Sequence, residues 1–581
     1  MLIKLLTILF TTNLYAWNSS TYLEKFNTYR YWSTHLPPQY NNELVQFITK
    51  TGPLNQKLRD KWLIMLAEQK NWPLVAKYYK PSASVTLQCF AAYANWQTHN
   101  SNLALKIAQQ PWLSGHNQPQ ACNNLFTILK KIPELRTKRI KLALDADNIK
   151  LATYLLNHEN PQTAAAFYKI HSRPEAITTI PHTKWHGEQV LYALKRMLLL
   201  NRTHASILQC YSVQKKWLNN QQLQRFYGFI SLYTAMRNQP QTTFWFAKMQ
   251  PNYYTAPVLE WQMRYALLHQ NWRHVERLIM LMHKPLTAEQ AYWLAIARMH
   301  LNKLDIAKTS LNKLSQERSY YGFLASLKLN KPLSFQHQAP CHNNLAPYNQ
   351  LLAEIRTYYK ANYLGKASQL LNDFMLELPK NQQCALVRWV SEDLSWQNQA
   401  IYMSNQPHLF NQLNIRFPTT YSTTVNYNAQ KHHLSPEFVY SIIRQESAFN
   451  PAIFSPVGAQ GLMQLMPRTA KIISAKHHLH YKDKQLLNPQ KNVELGTQYL
   501  ADLSKSLNHP LLVAAAYNAG PSAALQWVKK YPAPDIVTWI DTLPWKETRN
   551  YLKNIVAFNA IYQHRLHKRI TLLPLLKPLP R

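Results

Sequence analysis

Cysteine is scarce: Cys89, Cys122, Cys210, Cys341 and Cys384 are the five in a chain of 581 residues. That is too few for a disulfide scaffold, and none stands in a CxxC or Cys/His zinc spacing. An exported chain allows one bridge, for which Cys89 and Cys122 are the pair closest in sequence, and the odd count leaves at least one thiol free or paired between molecules. No Asp-x-Asp-x-Asp-Gly loop is present, so neither a bound metal nor a cofactor is expected. Past the N-terminus no apolar run approaches the roughly 18 to 20 residues that span a bilayer, so no transmembrane anchor is expected and the mature chain should be soluble. Glycine is almost missing between residues 20 and 330, as is the alternating pattern of strands. Acidic residues are outnumbered by basic ones, 28 to 65. A surface that positive draws polyanions, and composition alone leaves nucleic acid, membrane and cell-wall polymer open. Zinc-finger, RNP and basic-heptad patterns are absent and the charge is spread along the chain, which argues against a nucleic-acid partner.

Residues 1–16 read as a targeting segment: Lys4 gives positive charge, Leu5 to Phe10 begin an apolar core, and Ala16 suits signal-peptidase cleavage. The alternative is a buried N-terminal helix. No cysteine follows Ala16, so a lipoprotein anchor is not indicated. From about residue 20 to 330 amphipathic segments follow one another with short polar breaks, which predicts an all-α array. Lys70-Asn71-Trp72-Pro73-Leu74-Val75 is echoed by Gln270-Asn271-Trp272-Arg273-His274-Val275, and Ala164 to Tyr168 has a small-residue packing surface. Such echoes suggest a solenoid of helix pairs with a long curved surface suited to an extended polymer, although a plain structural array fits equally. Pro332, Pro340 and Pro347 break the periodicity, and Arg416 to Tyr421 opens a distinct C-terminal module. Four of the ten glycines (Gly458, Gly461, Gly496, Gly520) fall between 455 and 520, where the backbone needs tight turns or close approach.

In that module Ser435-Pro436-Glu437 predicts a helix start, with Ser as cap, Pro at the first position and an acid at the positive end. Phe438, Val439, Ile442 and Ile443 mark its buried stripe, and Glu446, four residues after Ile442, falls on the same stripe near the last turn before Asn450-Pro451. Burial and the negative end of the helix dipole both favour the protonated form there, as a general acid requires. The alternative is a partly exposed glutamate paired with Arg444, Arg468 or a lysine.

The residues that follow carry a family resemblance. Gln445 to Pro451, then Ser455-Pro456-Val457-Gly458-Ala459-Gln460-Gly461-Leu462-Met463-Gln464-Leu465-Met466-Pro467, resemble the soluble lytic transglycosylases, whose catalytic module is similar to goose-type lysozyme. Asn488-Pro489 with Asn492, Gly496 and Tyr499 looks like a second family motif, Ala514 to Pro521 a third, and Leu543 to Tyr551 a fourth. Arg264 to Leu267 and Tyr320 to Ala325 look like the family's superhelical domain, in the form of a ring or a horseshoe. Trp545 stands where Phe is more usual, and Arg468 where small residues often occur.

The resemblance implies an all-α chain: a signal peptide at 1–16, a superhelical array over 17–345, a helical linker over 346–420 and a lysozyme-like module over 421–581. It implies a periplasmic monomer that cleaves peptidoglycan glycan strands between N-acetylmuramic acid and N-acetylglucosamine, leaving a 1,6-anhydromuramoyl end. Glu446 would act as acid and then base, with Ser455, Gln464, Met466, Tyr517 and Asn518 around the cleaved bond. A core role for Tyr517 is the alternative. Glu547 would touch the saccharide or stem peptide and pair with Arg549. A second acid is not needed, although Asp483, Glu494, Asp502, Asp535, Asp541 and Glu547 are available. The rival functions are a lysozyme-type hydrolase, a scaffold that recruits cell-wall synthesis proteins, and, more distantly, a nucleic-acid binder.

Overall fold

The computed structural model describes residues 21–336, 341, 344–482 and 484–579. The expected targeting segment lies outside them, as does Asp483. The described residues are helical, and their only β pairing is two isolated bridges, Phe454 with Gln460 and Gln460 with Leu465. No described helix is long and apolar enough to cross a membrane.

The near-absence of glycine has a structural counterpart in the joints between helices. A helix commonly ends on a left-handed residue, usually glycine because a Cβ is penalised there. Here Lys70, His99, Asp147 and Gln270 take that position, with φ between 53° and 62°. In each case the next residue is an asparagine whose amide donates 2.8 Å back to the carbonyl five residues earlier: Asn71 to Leu66, Asn100 to Asn95, Asn148 to Ala143 and Asn271 to Ala266. The side chains of Asn100, Asn148 and Asn271 then accept from the first turn of the next helix. The sequence echo between Lys70-Asn71-Trp72 and Gln270-Asn271-Trp272 is this joint: one helix ends at Glu68 or Leu268 and the next begins four residues on.

The chain divides into two compact units, Met1–Phe229 with Leu345–Pro379, and Ile230–Asn344 with Lys380–Arg581. In the first, Lys25 reaches Glu377 at 2.8 Å, and Lys57 and the Tyr29 hydroxyl converge on the buried carboxylate of Asp373, so the helix Thr21–Thr34 is tied to Leu364–Met375. The same unit holds a Cys89–Cys122 bridge, the pair the sequence allowed, and a buried, unbridged Cys210. The second holds a bridge that spacing did not suggest, Cys341–Cys384, whose Cα atoms lie 5.6 Å apart.

The C-terminal part of the second unit carries eight helices used below: α1 (Ser422–Lys431), α2 (Pro436–Glu446), α3 (Pro467–Lys476), α4 (Pro489–Leu507), α5 (Pro510–Ala519), α6 (Pro521–Lys530), α7 (Ile536–Thr542) and α8 (Lys546–Arg565). Helix α2 packs along α8, which also meets α5. Val439, Tyr440, Ile442 and Ile443 of α2 and Leu552, Ile555, Val556 and Ala560 of α8 are buried in this seam.

Candidate active site

Helix α2 begins as the sequence predicts, except that Ser435 caps it through its backbone carbonyl alone; its side chain accepts no hydrogen bond from the helix. Glu437 in the first turn pairs with Lys568 at 3.0 Å. Glu446 is the last residue of α2, and the chain leaves through Ala448 (φ 48°) and Phe449 (φ 66°), two successive left-handed residues with side chains. That conformation costs of order 1–3 kcal/mol per residue and persists only where the surroundings enforce it. Here Phe449 is buried and its amide donates to Ser447 Oγ at 3.1 Å. The turn ends the helix abruptly and leaves the Glu446 carboxyl at its C-terminal mouth.

Among the described residues the carboxyl has one hydrogen-bond donor, the Tyr551 hydroxyl of α8, 2.7 Å from Oε1. Among the described residues it makes no ion pair with Arg444, Arg468 or a lysine. Arg444 donates instead to the Arg416 carbonyl and lies over the rings of Phe417 and Phe558. Without a cation, burial dominates and pushes the pKa of Glu446 up to about 7; the Tyr551 hydrogen bond opposes this and the charge of Glu547 adds to it.

Helix α8 presents one face to the site. Thr548 Oγ1 donates to Asn518 Oδ1 at 3.0 Å, Tyr551 to Glu446, and Asn554 to Gln445 Oε1 at 3.0 Å. These residues follow the three-residue spacing of one helical face. Glu547 lies one turn before Tyr551, exposed to solvent. Its expected pairing with Arg549 does not occur: Arg549 is 4 % exposed, donates to the Leu543 carbonyl and sits 3.9 Å from Glu260. Residues two apart on a helix point to nearly opposite sides, so the pairing was geometrically unavailable.

The loop between α2 and α3 is held by Asn492 of α4, which is fully buried. Its Oδ1 accepts from the Met463 amide at 2.7 Å, and its Nδ2 donates to the carbonyls of Gln460 and Leu486. Gly461 (φ 75°) passes so close that a Cβ would overlap the Leu486 carbonyl and Asn492, and a Cβ on Gly496 would overlap the Met463 sulfur. Ser455 Oγ accepts from the Ala459 amide, and Gln464, itself left-handed (φ 48°), donates to the carbonyls of Ile453 and Gly461. Met466, 39 % exposed, precedes α3. Tyr517 donates to the Met463 carbonyl at 2.7 Å, lies tilted against Tyr499 with ring centroids 5.4 Å apart, and is pushed upward in pKa by burial and by Glu446. Its satisfied hydroxyl is what a core tyrosine has, while its place beside Glu446 is what a site residue has.

Glu446, Tyr517, Tyr551 and Glu547 are thus brought together, with Asn518 attached through Thr548. Ser455, Gln464 and Met466 share one pinned loop and make no hydrogen bond to Glu446. Tyr551 was absent from the expected site residues, although it closes the fourth motif and lies on the helical face that starts at Thr548. Of the other described acids, Glu494 pairs with Lys491, Asp502 with Lys476 and His477, Asp541 with Lys553, and Asp535 caps α7. Among the described residues no group of three or more His, Cys, Asp or Glu side chains could hold a metal ion.

Two family models match this region: the transglycosylase SLT domain over residues 423–540 and the soluble lytic transglycosylase helical domain over 542–569. The chain is 27 % identical to a soluble lytic murein transglycosylase of Salmonella typhimurium over 558 residues, covering 91 % of this chain and 86 % of the relative. It is 26 % identical to the protein of the same description from Escherichia coli over 549 residues, covering 90 % and 84 %. It superposes on an inactive glutamate-to-glutamine mutant of the lytic transglycosylase Slt from Pseudomonas aeruginosa with a TM-score of 0.78 at 26 % identity, covering 96 % of this chain and 94 % of that one.

Proposed function

The chain belongs to the soluble lytic murein transglycosylase family, and from that premise we propose that Glu446 is the acid, and then the base, with which it cleaves peptidoglycan. The observation that carries this reading is a single carboxyl group, without a cation partner among the described residues, with a pKa pushed up to about 7 and a hydroxyl donor at 2.7 Å. Protonated near neutral pH, Glu446 gives its proton to the glycosidic oxygen between N-acetylmuramic acid and N-acetylglucosamine, and the C1–O bond breaks. The resulting carboxylate is stabilised by Tyr551. It then takes the proton of the muramic acid C6 hydroxyl as O6 bonds to C1, which closes a 1,6-anhydro ring and returns Glu446 to its acid form without consuming water.

A two-carboxylate mechanism needs a partner acid about 5 to 9.5 Å away. Among the described residues the one carboxylate that acts on Glu446 is Glu547, which is exposed to solvent, so the substrate's acetamido group is the better stabiliser of the cationic transition state. Ser455, Gln464, Met466, Tyr517 and Asn518 line the glycan's path. Such a reaction calls for the periplasm, which the reading of residues 1–16 as a targeting segment supports. That a glutamate-to-glutamine mutant of the Pseudomonas aeruginosa neighbour is inactive supports the choice of residue type.

Mass spectrometry of soluble products from purified peptidoglycan tests the proposal. Wild type should release anhydromuropeptides and Glu446→Gln none. Reducing-end products would replace the transglycosylase step with hydrolysis, and undiminished release by Glu446→Gln would remove Glu446 from the reaction.

A further inference from the structure

Helix α8 carries a second constellation, on the face away from the site. Lys553 Nζ lies 2.5 Å from Asp541 Oδ1 and 2.8 Å from Glu289 Oε2. Asp541 of α7 is fully buried and also accepts from the Tyr321 hydroxyl at 2.8 Å and the Trp293 indole at 2.7 Å, while its backbone carbonyl accepts from Arg264. Arg264, 3 % exposed, pairs with Glu289 at 2.6 Å and Glu260 at 2.7 Å, and Glu260 faces Arg549 of α8. Three helices of the array, Ala256–Leu268, Ala288–His300 and Tyr320–Lys328, thereby grip α7 and α8 within one compact unit.

The geometry of α8 connects the two constellations. At 100° per residue Arg549 and Lys553 share one side of the helix, and Tyr551, two residues from each, points to nearly the opposite side. Rotating α8 enough to loosen the network would carry the Tyr551 hydroxyl off Glu446. Ionic groups this deeply buried contribute little net stability compared with apolar residues of the same size; they are best at fixing one arrangement among several.

We propose that Lys553, Asp541, Arg264 and Tyr321 are positioning residues for cleavage: they set the rotation of α8 that keeps Tyr551 on the acid, which makes the array helices over 256–328 part of the catalytic apparatus. This rests on the reading of Glu446 as the acid. The groups that face Glu446 are Tyr551 and Glu547 from α8 and Tyr517 from α5. Because Tyr551 stabilises the carboxylate, a loosened network moves the alkaline limb of the kcat/KM profile to higher pH.

The test uses the full chain with Tyr321→Phe, which changes no charge, alongside Lys553→Met and Lys553→Arg, assayed on soluble glycan strands. The expected result is a lower kcat at unchanged KM for Tyr321→Phe and a larger loss, up to about a hundredfold, for Lys553→Met. Both variants should shift the alkaline limb upward, and Lys553→Arg should restore most of kcat. A network that only stabilises the fold would lower the melting temperature of Tyr321→Phe and leave kcat and the limb at wild-type values below the transition; that result overturns the proposal. Glu446→Gln run in parallel separates the two readings, since activity surviving in that variant would instead sink the assignment of the acid.

Discussion

Glu446 and Glu289 are withdrawn from water by the same unit, yet the first has a pKa pushed up to about 7 and the second is held down to about 2. Burial raises both; what differs is the company. Arg264 and Lys553 contact Glu289, whereas Glu446 meets a neutral hydroxyl and, further off, another carboxylate. On one face of α8 the fold has paired every buried charge, and on the other it has left one acid without a cation in a chain where basic residues exceed acidic ones more than twofold. Cation exclusion around Glu446 is therefore a local feature. Arg444, two residues away, is turned toward a carbonyl and two rings.

The comparison is most severely tested from the compensated side. Lys553→Met leaves Asp541 and Glu289 short of a partner in the interior, and Arg264→Met does the same to Glu289 and Glu260. Each should lower the unfolding free energy by about 3–5 kcal/mol in urea titrations at pH 7. Replacing Glu446 should do the reverse. Its folded pKa lies above its unfolded value of 4.5, so the unfolded state loses the proton first and stability drains away as pH rises from about 4.5 to about 7. Glu446→Gln should then exceed wild type by up to about 3 kcal/mol at pH 8 and match it near pH 4. Equal stability of the two at pH 8 would mean that the acid is not held protonated.

Smaller effects sharpen the account. Tyr551→Phe removes the donor that favours the carboxylate, so the alkaline limb of kcat/KM should rise, with a loss in transition-state stabilisation of about 1.5–3 kcal/mol read from kcat/KM. Glu547→Gln removes a like charge and should move the limb slightly downward. Because Glu547 is exposed, that shift should amount to less than about 1 kcal/mol and fade as salt is raised.

Much of the candidate catalytic segment could be read from local spacing. The start of α2, its buried stripe and the place of Glu446 at its end all follow from residues within eleven positions of one another. The glycines of the 455–520 stretch also meant what they suggested at Gly461 and Gly496, where a Cβ has no room. What escaped was long-range. Tyr551 lies 105 residues from the acid it bonds, and Trp293 and Tyr321 lie 248 and 220 residues from Asp541, distances over which periodicity carries no information. Two local inferences failed for local reasons. Glu547 and Arg549 have the wrong helical spacing to meet, and Ser435 has the right residue type for a side-chain cap yet uses only its carbonyl. The Cys341–Cys384 bridge depends on a fold that brings two distant segments together, and its spacing gave no hint of it.

The most direct test is the titration of Glu446 itself, by 13C NMR of protein carrying carboxyl-labelled glutamate, with the resonance assigned by its loss in Glu446→Gln. A midpoint near 7 is predicted. A midpoint near or below 4.5 would mean that the carboxyl is ionised and solvated at neutral pH, and would contradict the account of Glu446 as the acid.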